Sequence, residues 1–203
     1  MITRGSGVFL NVSSLPSKFA IGGFGQECRE WIDKLASMKM KWWQILPLCP
    51  VGYGNSPYSS MSAFAINPYY IDLPSLKGQG LLTEEELKAA QYPGTPYAVD
   101  YDWVRENKEK WVRRAFYRFT EREKLDEFSK KESSWLDDYS AFMASKKLNQ
   151  GAAFWQWDRK PSKKEQDYYR FEQYLAHTQW AEVKTYANAH GISLFGDMPI
   201  YVL

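Results

Sequence analysis

The chain has few of the residues on which metal sites and disulfide scaffolds depend. Its 203 residues include two cysteines, Cys28 and Cys49, and two histidines, His177 and His190. Two cysteines are too few for a disulfide scaffold, and the four residues lack the spacing of a zinc site. We therefore predict no metal site, and we predict buried or idle thiols in a reducing compartment.

Long apolar runs and an excess of charge are also missing. No uninterrupted apolar stretch approaches the roughly 18 residues of a membrane span, and the first residues lack the apolar segment of a signal peptide. Lys and Arg number 26 against 24 Asp and Glu, so the net charge is +2. This balance gives no electrostatic reason to expect nucleic acid or a membrane surface as a partner. We expect a soluble, cytoplasmic protein.

Aromatic residues, in contrast, are abundant. They make up 17% of the chain, with 9 Trp, 14 Tyr and 11 Phe, within a hydrophobic fraction of 44%. A chain of this length buries one sizeable core, so one domain, or two at most, is expected. Most aromatic rings belong in that core, and the surplus of Trp and Tyr also suits a site that stacks sugars or bases.

The first fifty residues predict strand, helix, strand. Residues 7–12 form a short apolar run opened by glycine, which is typical of a buried strand. Apolar residues at helical spacing over 28–38 predict an amphipathic helix. Residues 42–48 are almost continuously apolar, which predicts a strand buried on both faces of a parallel sheet.

Residues 50–80 are rich in proline and glycine yet also carry many aromatic residues. This composition predicts a long ordered loop without regular structure, and such loops are usually functional.

Helical signals dominate the following hundred residues. Thr83 and Glu86 have the spacing of a capping box. A helix is predicted over 102–120, with pairs Glu106–Lys110 and Glu109–Arg113 on its surface, and Ser134 is predicted to cap another. A longer helix is predicted over 168–190, ending at Gly191 with His190 in its last turn, before a third strand at 192–195.

This order, β-α-β, a helical insertion, then α-β, is the beginning of a parallel α/β protein. Three strands cannot close a barrel, and the last four residues, 200–203, are apolar. We therefore expect a fragment that stops within its domain, and one that self-associates or is unstable as a monomer.

A set of short motifs appears in a fixed order along the chain. These are Ser13-Ser-Leu-Pro16, Ile21-Gly-Gly-Phe-Gly25, Trp43-Gln-Ile-Leu-Pro-Leu48, Ser56-Pro-Tyr58, Ser62-Ala-Phe-Ala65, Asn67-Pro68 and Gly196-Asp-Met-Pro-Ile-Tyr-Val202. Together they resemble the amino-terminal part of the 4-α-glucanotransferases (amylomaltases or disproportionating enzymes) of glycoside hydrolase family 77. The resemblance covers nearly the whole chain.

The resemblance implies the first three strands of a (β/α)₈ barrel, with a large, mostly helical insertion between the second and third strands. The barrel then begins over residues 1–52, the insertion subdomain covers 53–167, and the chain returns to the barrel over 168–203. No cofactor is implied.

The implied activity is retaining transfer of an α-1,4-glucan segment to the 4-hydroxyl of glucose or a maltooligosaccharide. In such mechanisms two carboxyl groups lie roughly 5 Å apart. The resemblance places the family's catalytic carboxylates on later strands, so no catalytic residue is assigned here and the fragment alone is expected to be inactive. Substrate contact is implied for Ser56, Tyr58 and Asp197. Tyr53 is a candidate for a further glucan contact.

Each assignment has an alternative. Tyr58 and Tyr53 suit packing positions, and Asp197 suits the cap of a turn. His177 is interpreted as a helix residue without a catalytic role. The competing function is a non-catalytic carbohydrate-binding module, although such a module would have a complete fold. A nucleic-acid-binding domain would need a basic face that this chain lacks.

Overall fold

Three parallel strands form one sheet in the computed structural model, which describes residues 4–198. The strands are β1 (Gly7–Phe9), β2 (Trp42–Gln44) and β3 (Ser193–Phe195), in the order β1-β2-β3. Gly7 lies opposite Trp42, which in turn lies opposite Ser193. The predicted parallel α/β arrangement is confirmed for these strands.

The strands are shorter than the apolar runs of the sequence predict. The predicted strands at 7–12 and 42–48 end at Phe9 and Gln44. One further hydrogen bond extends each ladder, from Leu10 N to Gln44 O and from Ile45 N to Phe195 O, both 3.0 Å. The remaining residues of the two apolar runs are buried or half-buried but belong to no strand. Burial alone does not supply a neighbouring strand with which their backbone could pair.

The two faces of the sheet differ. Trp43 is fully buried, and Val8 and Leu194 pack against the main core on the same face. On the other face Phe9 is 55% exposed and Phe195 is 51% exposed. The prediction that β2 is buried on both faces is therefore wrong for the described residues, because alternate side chains of a strand point to opposite faces.

Seven helices accompany the sheet within residues 4–198. They are α1 (Gln26–Ser37), α2 (Leu73–Gly78), α3 (Glu84–Ala89), α4 (Tyr101–Arg118), α5 (Arg122–Lys131), α6 (Ser133–Leu148) and α7 (Lys163–Ala189). Helix α1 buries Cys28, Ile32 and Leu35, as its apolar spacing predicts. Cys28 and Cys49 are both buried free thiols.

Helix α7 is longer than predicted. It begins at Lys163 rather than near 168, because the Ser162 side chain accepts a hydrogen bond from Glu165 N at 3.2 Å and caps the first turn. It ends as predicted, with His190 at the cap and Gly191 at φ +72°, a conformation that glycine adopts readily.

The segment 50–80 is not entirely irregular. Helix α2 lies within it, because Asp72 accepts a hydrogen bond from Ser75 N at 2.7 Å and Pro74 occupies the first turn. Turns of 3₁₀ helix at Tyr53–Asn55 and Pro68–Tyr70 shape the rest.

Two buried glutamines of α7 hold this segment in place. Gln173 accepts from Ile66 N at 2.8 Å and donates to Ile66 O at 2.9 Å. Gln179 makes the same pair of bonds with the backbone of Asp72, at 2.7 and 3.2 Å. Each amide satisfies one buried backbone donor and one buried acceptor, as a neighbouring strand would.

The capping box that opens α3 is confirmed. Thr83 N donates to Glu86 Oε2 at 3.0 Å, and Glu86 N donates to Thr83 Oγ1 at 3.2 Å. The Glu109–Arg113 pair on α4 is also present, at 2.5 Å. The Glu106–Lys110 pair is not among the ion pairs of the described residues.

Helices α5 and α6 depart from the predictions. Helix α5 lies in a highly charged stretch for which no helix was predicted. Helix α6 begins two residues earlier than a cap at Ser134 predicts, at Ser133 after Glu132, and no side chain caps it. The prediction for Ser134 is therefore wrong.

Candidate functional site

The predicted site residues follow β2 and β3. The chain leaves β2 at Gln44 and reaches the turn Tyr53–Asn55, and it leaves β3 at Phe195 just before Asp197. The carboxyl ends of parallel strands meet at one edge of a sheet, where α/β proteins usually bind their ligands.

Tyr58 and Asp197 meet at this edge although 139 residues separate them. The Tyr58 hydroxyl donates to Asp197 Oδ2 at 2.5 Å. This hydrogen bond to a carboxylate raises the pKa of Tyr58 above its ordinary value. Tyr58 is 37% exposed, so part of its ring remains open to solvent. The pair offers a ring face and a fixed polar group to a ligand.

The other oxygen of Asp197 has a local partner. Asp197 Oδ1 accepts from Met198 N at 2.7 Å. The carboxylate therefore stabilises the turn after β3 and orients Tyr58 at the same time, so the two interpretations of Asp197 are compatible. The last motif continues over residues 199–202, which lie outside the described residues.

Ser56 shapes the loop that carries Tyr58. Its Oγ accepts from Tyr58 N at 3.2 Å, and its carbonyl accepts from Gly52 N at 3.0 Å and Ser59 N at 3.3 Å. The loop is so tight that a Cβ at Gly52 would lie 1.7 Å from Ser59 O. A side chain at Gly52 is therefore incompatible with this loop.

Tyr53 takes no part in the Tyr58–Asp197 hydrogen bond. Its side chain is 95% exposed at the tip of the turn. Gly54 and Asn55 have φ of +66° and +57°, and Arg105 of α4 donates to Asn55 Oδ1 at 3.1 Å. The turn is thus tied to α4, and it presents the Tyr53 ring to solvent.

Sequence reasoning missed the residues that position this loop. Gln173, Gln179 and Arg105 act on it from helices more than forty residues away in sequence. A glutamine within an amphipathic helix carries no local signal that it is buried. Only the three-dimensional contact with a residue distant in sequence identifies such a side chain.

The remaining candidates have structural surroundings. His177 packs between the rings of Phe128 and Trp135, both at 5.5 Å, and burial lowers its pKa. Glu86 pairs with Arg118 and Arg114, which together with the Thr83 backbone N–H lower its pKa to about 2. Glu86 also takes part in the capping box of α3.

Two kinds of feature are absent from the described part of the chain. Residues 4–198 contain no group of three or more His, Cys, Asp or Glu placed to hold a metal ion. No helix of the same range is long and apolar enough to cross a membrane.

The chain is an α/β protein whose parallel sheet presents a tyrosine–aspartate pair beyond its strand ends. Comparison with known proteins is more specific, because the family model described as 4-alpha-glucanotransferase matches residues 10–203. The chain belongs to the 4-alpha-glucanotransferase family.

Individual relatives agree. A 4-alpha-glucanotransferase of Synechocystis is 42% identical over 98% of this chain and 43% of its own length. One of Clostridium butyricum is 37% identical over 95% of this chain and 43% of its length. Amylomaltase from Streptococcus agalactiae, solved in complex with acarbose, superposes with a TM-score of 0.90 at 34% identity, covering 98% of this chain and 44% of that one. The chain spans less than half the length of these relatives.

Proposed function

We propose that this chain is the amino-terminal part of a longer retaining 4-α-glucanotransferase. The complete enzyme transfers α-1,4-glucan segments to the 4-hydroxyl of glucose or a maltooligosaccharide in the cytoplasm, without metal or organic cofactor. The observation that carries the proposal is the Tyr58–Asp197 contact, made in a chain whose family match extends over residues 10–203.

The open face of the sheet supports a longer parent protein. Parallel sheets are normally covered on both faces. Here Phe9, Trp42, Gln44 and Phe195 line an open cavity on one face, and the Trp42 and Phe195 rings pack edge to face at 6.4 Å. Further strands of a (β/α)₈ barrel would cover this face and pair with β1 and β3. In this proposal residues 1–52 and 168–203 belong to the barrel, and 53–167 are the insertion.

The residues of this chain form one wall of the donor site. The Tyr58 ring packs on the sugar next to the bond that breaks, and Asp197 orders that subsite through its hydrogen bond to Tyr58. Ser56 keeps the loop in shape, and Tyr53 offers a further contact to the glucan. The nucleophile and the acid/base, which a retaining mechanism places roughly 5 Å apart, come from outside this chain.

Glucose release from maltotriose tests the proposal. The 203-residue chain is compared with the polypeptide extended to the length of its relatives, and with the chain mixed with the separately expressed remainder. The extended form is expected to release glucose and longer maltooligosaccharides, while the chain alone releases none. Turnover by the chain alone would overturn the assignment of the catalytic carboxylates. Inactivity of the extended form would overturn the proposed function.

The open sheet also predicts self-association of the isolated chain. Exposed apolar side chains on one face and unpaired strand edges favour contact between copies. Sedimentation velocity is expected to show concentration-dependent association of the isolated chain and a single species for the extended form. A monodisperse monomer that unfolds cooperatively would contradict this expectation. The same open edges count against the alternative of a self-contained carbohydrate-binding module.

A further inference from the structure

A small cavity of about 170 Å³ lies among helices α4, α6 and α7 and the turn at Pro68–Tyr70. Two buried ionisable residues line it, Lys108 of α4 and Glu172 of α7, and each is 5% exposed. Tyr69 of the turn and Arg105 of α4 also line it. We call this feature the junction cavity.

The cations whose charges act on Glu172 are already paired with other acids. Arg113 of α4 makes ion pairs with Glu109 and Glu165. Lys147 of α6 also pairs with Glu109. Despite burial, these hydrogen bonds lower the pKa of Glu109, so its carboxylate stays ionised and its charge acts on Glu172. Within residues 4–198, Glu172 has no ion pair of its own.

A neutral group binds the Glu172 carboxyl instead. The Tyr168 hydroxyl donates to Glu172 Oε2 at 2.9 Å, and the Arg113 guanidinium lies over the Tyr168 ring, 3.8 Å from its centre. The tyrosines around the carboxyl supply no charge. Burial raises the pKa of three of them, and the charge of Glu172 adds to the rise at Tyr69, Tyr139 and Tyr169.

Lys108 does not supply the missing cation. Burial lowers the pKa of Lys108 to about 8, against the charges of Asp72 and Glu27, which favour its protonated form. Its charge is thus directed to acids at the starts of α2 and α1. Among the described residues it makes no ion pair with Glu172. Arg105, the other cation of the lining, is paired with Asp102.

An ionised Glu172 is therefore a buried anion without a cation. Burial raises the pKa of Glu172 to about 7, against the hydrogen bond from Tyr168 and with the help of the Glu109 charge. The neutral carboxyl suits a closed cavity. The carboxylate requires solvent, because an unpaired buried charge is costly, and the cavity is large enough to admit water.

The junction cavity touches both ends of the loop that carries Tyr58. At one end Arg105 donates to Asn55 Oδ1 at 3.1 Å, and at the other end Tyr69 lines the cavity. We propose that Glu172 is a pH-sensitive switch of this junction. Its neutral form keeps the cavity closed, and loss of its proton admits water and loosens the contacts of α4 and α7 with residues 55–69. The effect on substrate binding rests on the proposed function.

Hydrogen exchange of the extended protein, followed by mass spectrometry, tests the switch without turnover. Peptides covering 66–72 and 105–112 are expected to be less protected than α1, because the junction opens without global unfolding. After division by the intrinsic exchange rate at each pH, their opening constant should rise about tenfold between pH 6 and pH 8, because opening releases the Glu172 proton. In Glu172→Gln, which cannot titrate but still accepts from Tyr168, the opening constant should not change over this range.

Glu182→Gln is the matched control, because it makes the same chemical change at an exposed position of the same helix. It should keep the wild-type response to pH. A wild-type response that persists in Glu172→Gln would overturn the inference, as would junction peptides that open only together with α1.

Kinetics of the extended enzyme on maltotriose test the effect on the Tyr58 loop. The ratio of kcat/KM for Glu172→Gln to that for the wild type should rise as pH passes 7. A constant ratio would overturn the link between the switch and this loop. An extended wild-type enzyme inactive at every pH would instead refute the proposed function, and the exchange measurement would still decide on the switch.

Discussion

Replacing Gln173 by leucine removes one of the two buried glutamine side chains of α7 that hydrogen-bond the backbone of the segment 50–80. Gln173 is fully buried, and its amide pairs with both the N–H and the C=O of Ile66. Leucine has a similar volume but neither donates nor accepts a hydrogen bond. The substitution therefore leaves two backbone groups of a nearly fully buried residue without partners.

The expected loss of stability follows from these two groups. A buried polar group left unsatisfied costs about 1–3 kcal/mol, so the pair costs roughly 2–6 kcal/mol. Leucine is the more apolar side chain and recovers part of this in the core, which places the expected loss near the lower end, about 2–3 kcal/mol. In urea this appears as a lower midpoint with an unchanged slope.

Urea unfolding of the extended protein at pH 7, followed by tryptophan fluorescence, measures the effect. Gln166→Leu is the matched control, since Gln166 lies on the same helix and its side chain is only partly buried. Gln173→Glu adds a test of direction. Its carboxylate lacks the donor that Ile66 O requires, so its stability should fall as pH rises through the raised pKa of the new side chain. A loss under 0.5 kcal/mol for Gln173→Leu, or losses matched by Gln166→Leu, would refute the reasoning.

Three further predictions concern charge and space. Burial raises the pKa of Glu172 to about 7, so the native chain binds a proton more tightly than the unfolded chain. The free energy of unfolding therefore falls as pH rises from about 4.3 to 7. In urea titrations across that range, Glu172→Gln should flatten this fall and stabilise the protein above pH 7 by roughly 3 kcal/mol. The pKa of Glu86 is shifted in the opposite direction, down to about 2, so the ionised form stabilises the fold and this stabilisation is lost as pH falls towards 2. Glu86→Gln should therefore lower the urea midpoint at pH 7 and have little effect near pH 2. Gly52→Ala should reduce kcat/KM of the extended enzyme on maltotriose, because its Cβ would meet Ser59 O. Gly78→Ala is the control and should leave activity intact, because Gly78 is the last residue of α2 and a Cβ there meets open space. Equal activity in the two variants would contradict this.

Local signals allowed the sequence to predict some elements well. The apolar spacing of α1, the Thr83–Glu86 capping box and the glycine after α7 depend on neighbours within one or two turns, and the structure confirms all three. Helix α2 was readable by the same means, because Asp72 and Pro74 form a helix start. Its start was obscured by the surrounding prolines and glycines, which suggest turns.

Other features depend on residues far away in sequence. An apolar run at 42–48 does not say how many of its residues pair with a neighbouring strand. In the described sheet residues 42–44 are paired, and one further hydrogen bond comes from Ile45. Likewise the resemblance indicated Tyr58 and Asp197 as separate residues, whereas their mutual hydrogen bond arises because β2 and β3 are neighbours. Gln173 lies 107 residues from Ile66, whose backbone it binds, and no local sequence pattern marks this contact.

In the proposed function, Tyr58 and Asp197 act together in the donor site of the extended 4-α-glucanotransferase. A double-mutant cycle in the extended enzyme tests it most directly, with Tyr58→Phe, Asp197→Asn and the double variant compared by kcat/KM for maltotriose. Because the two side chains are joined by one hydrogen bond, the proposal predicts that each single variant loses at least tenfold in kcat/KM and that the double variant loses little more than either. Two losses that simply multiply, or single variants as active as the wild type, would contradict the account.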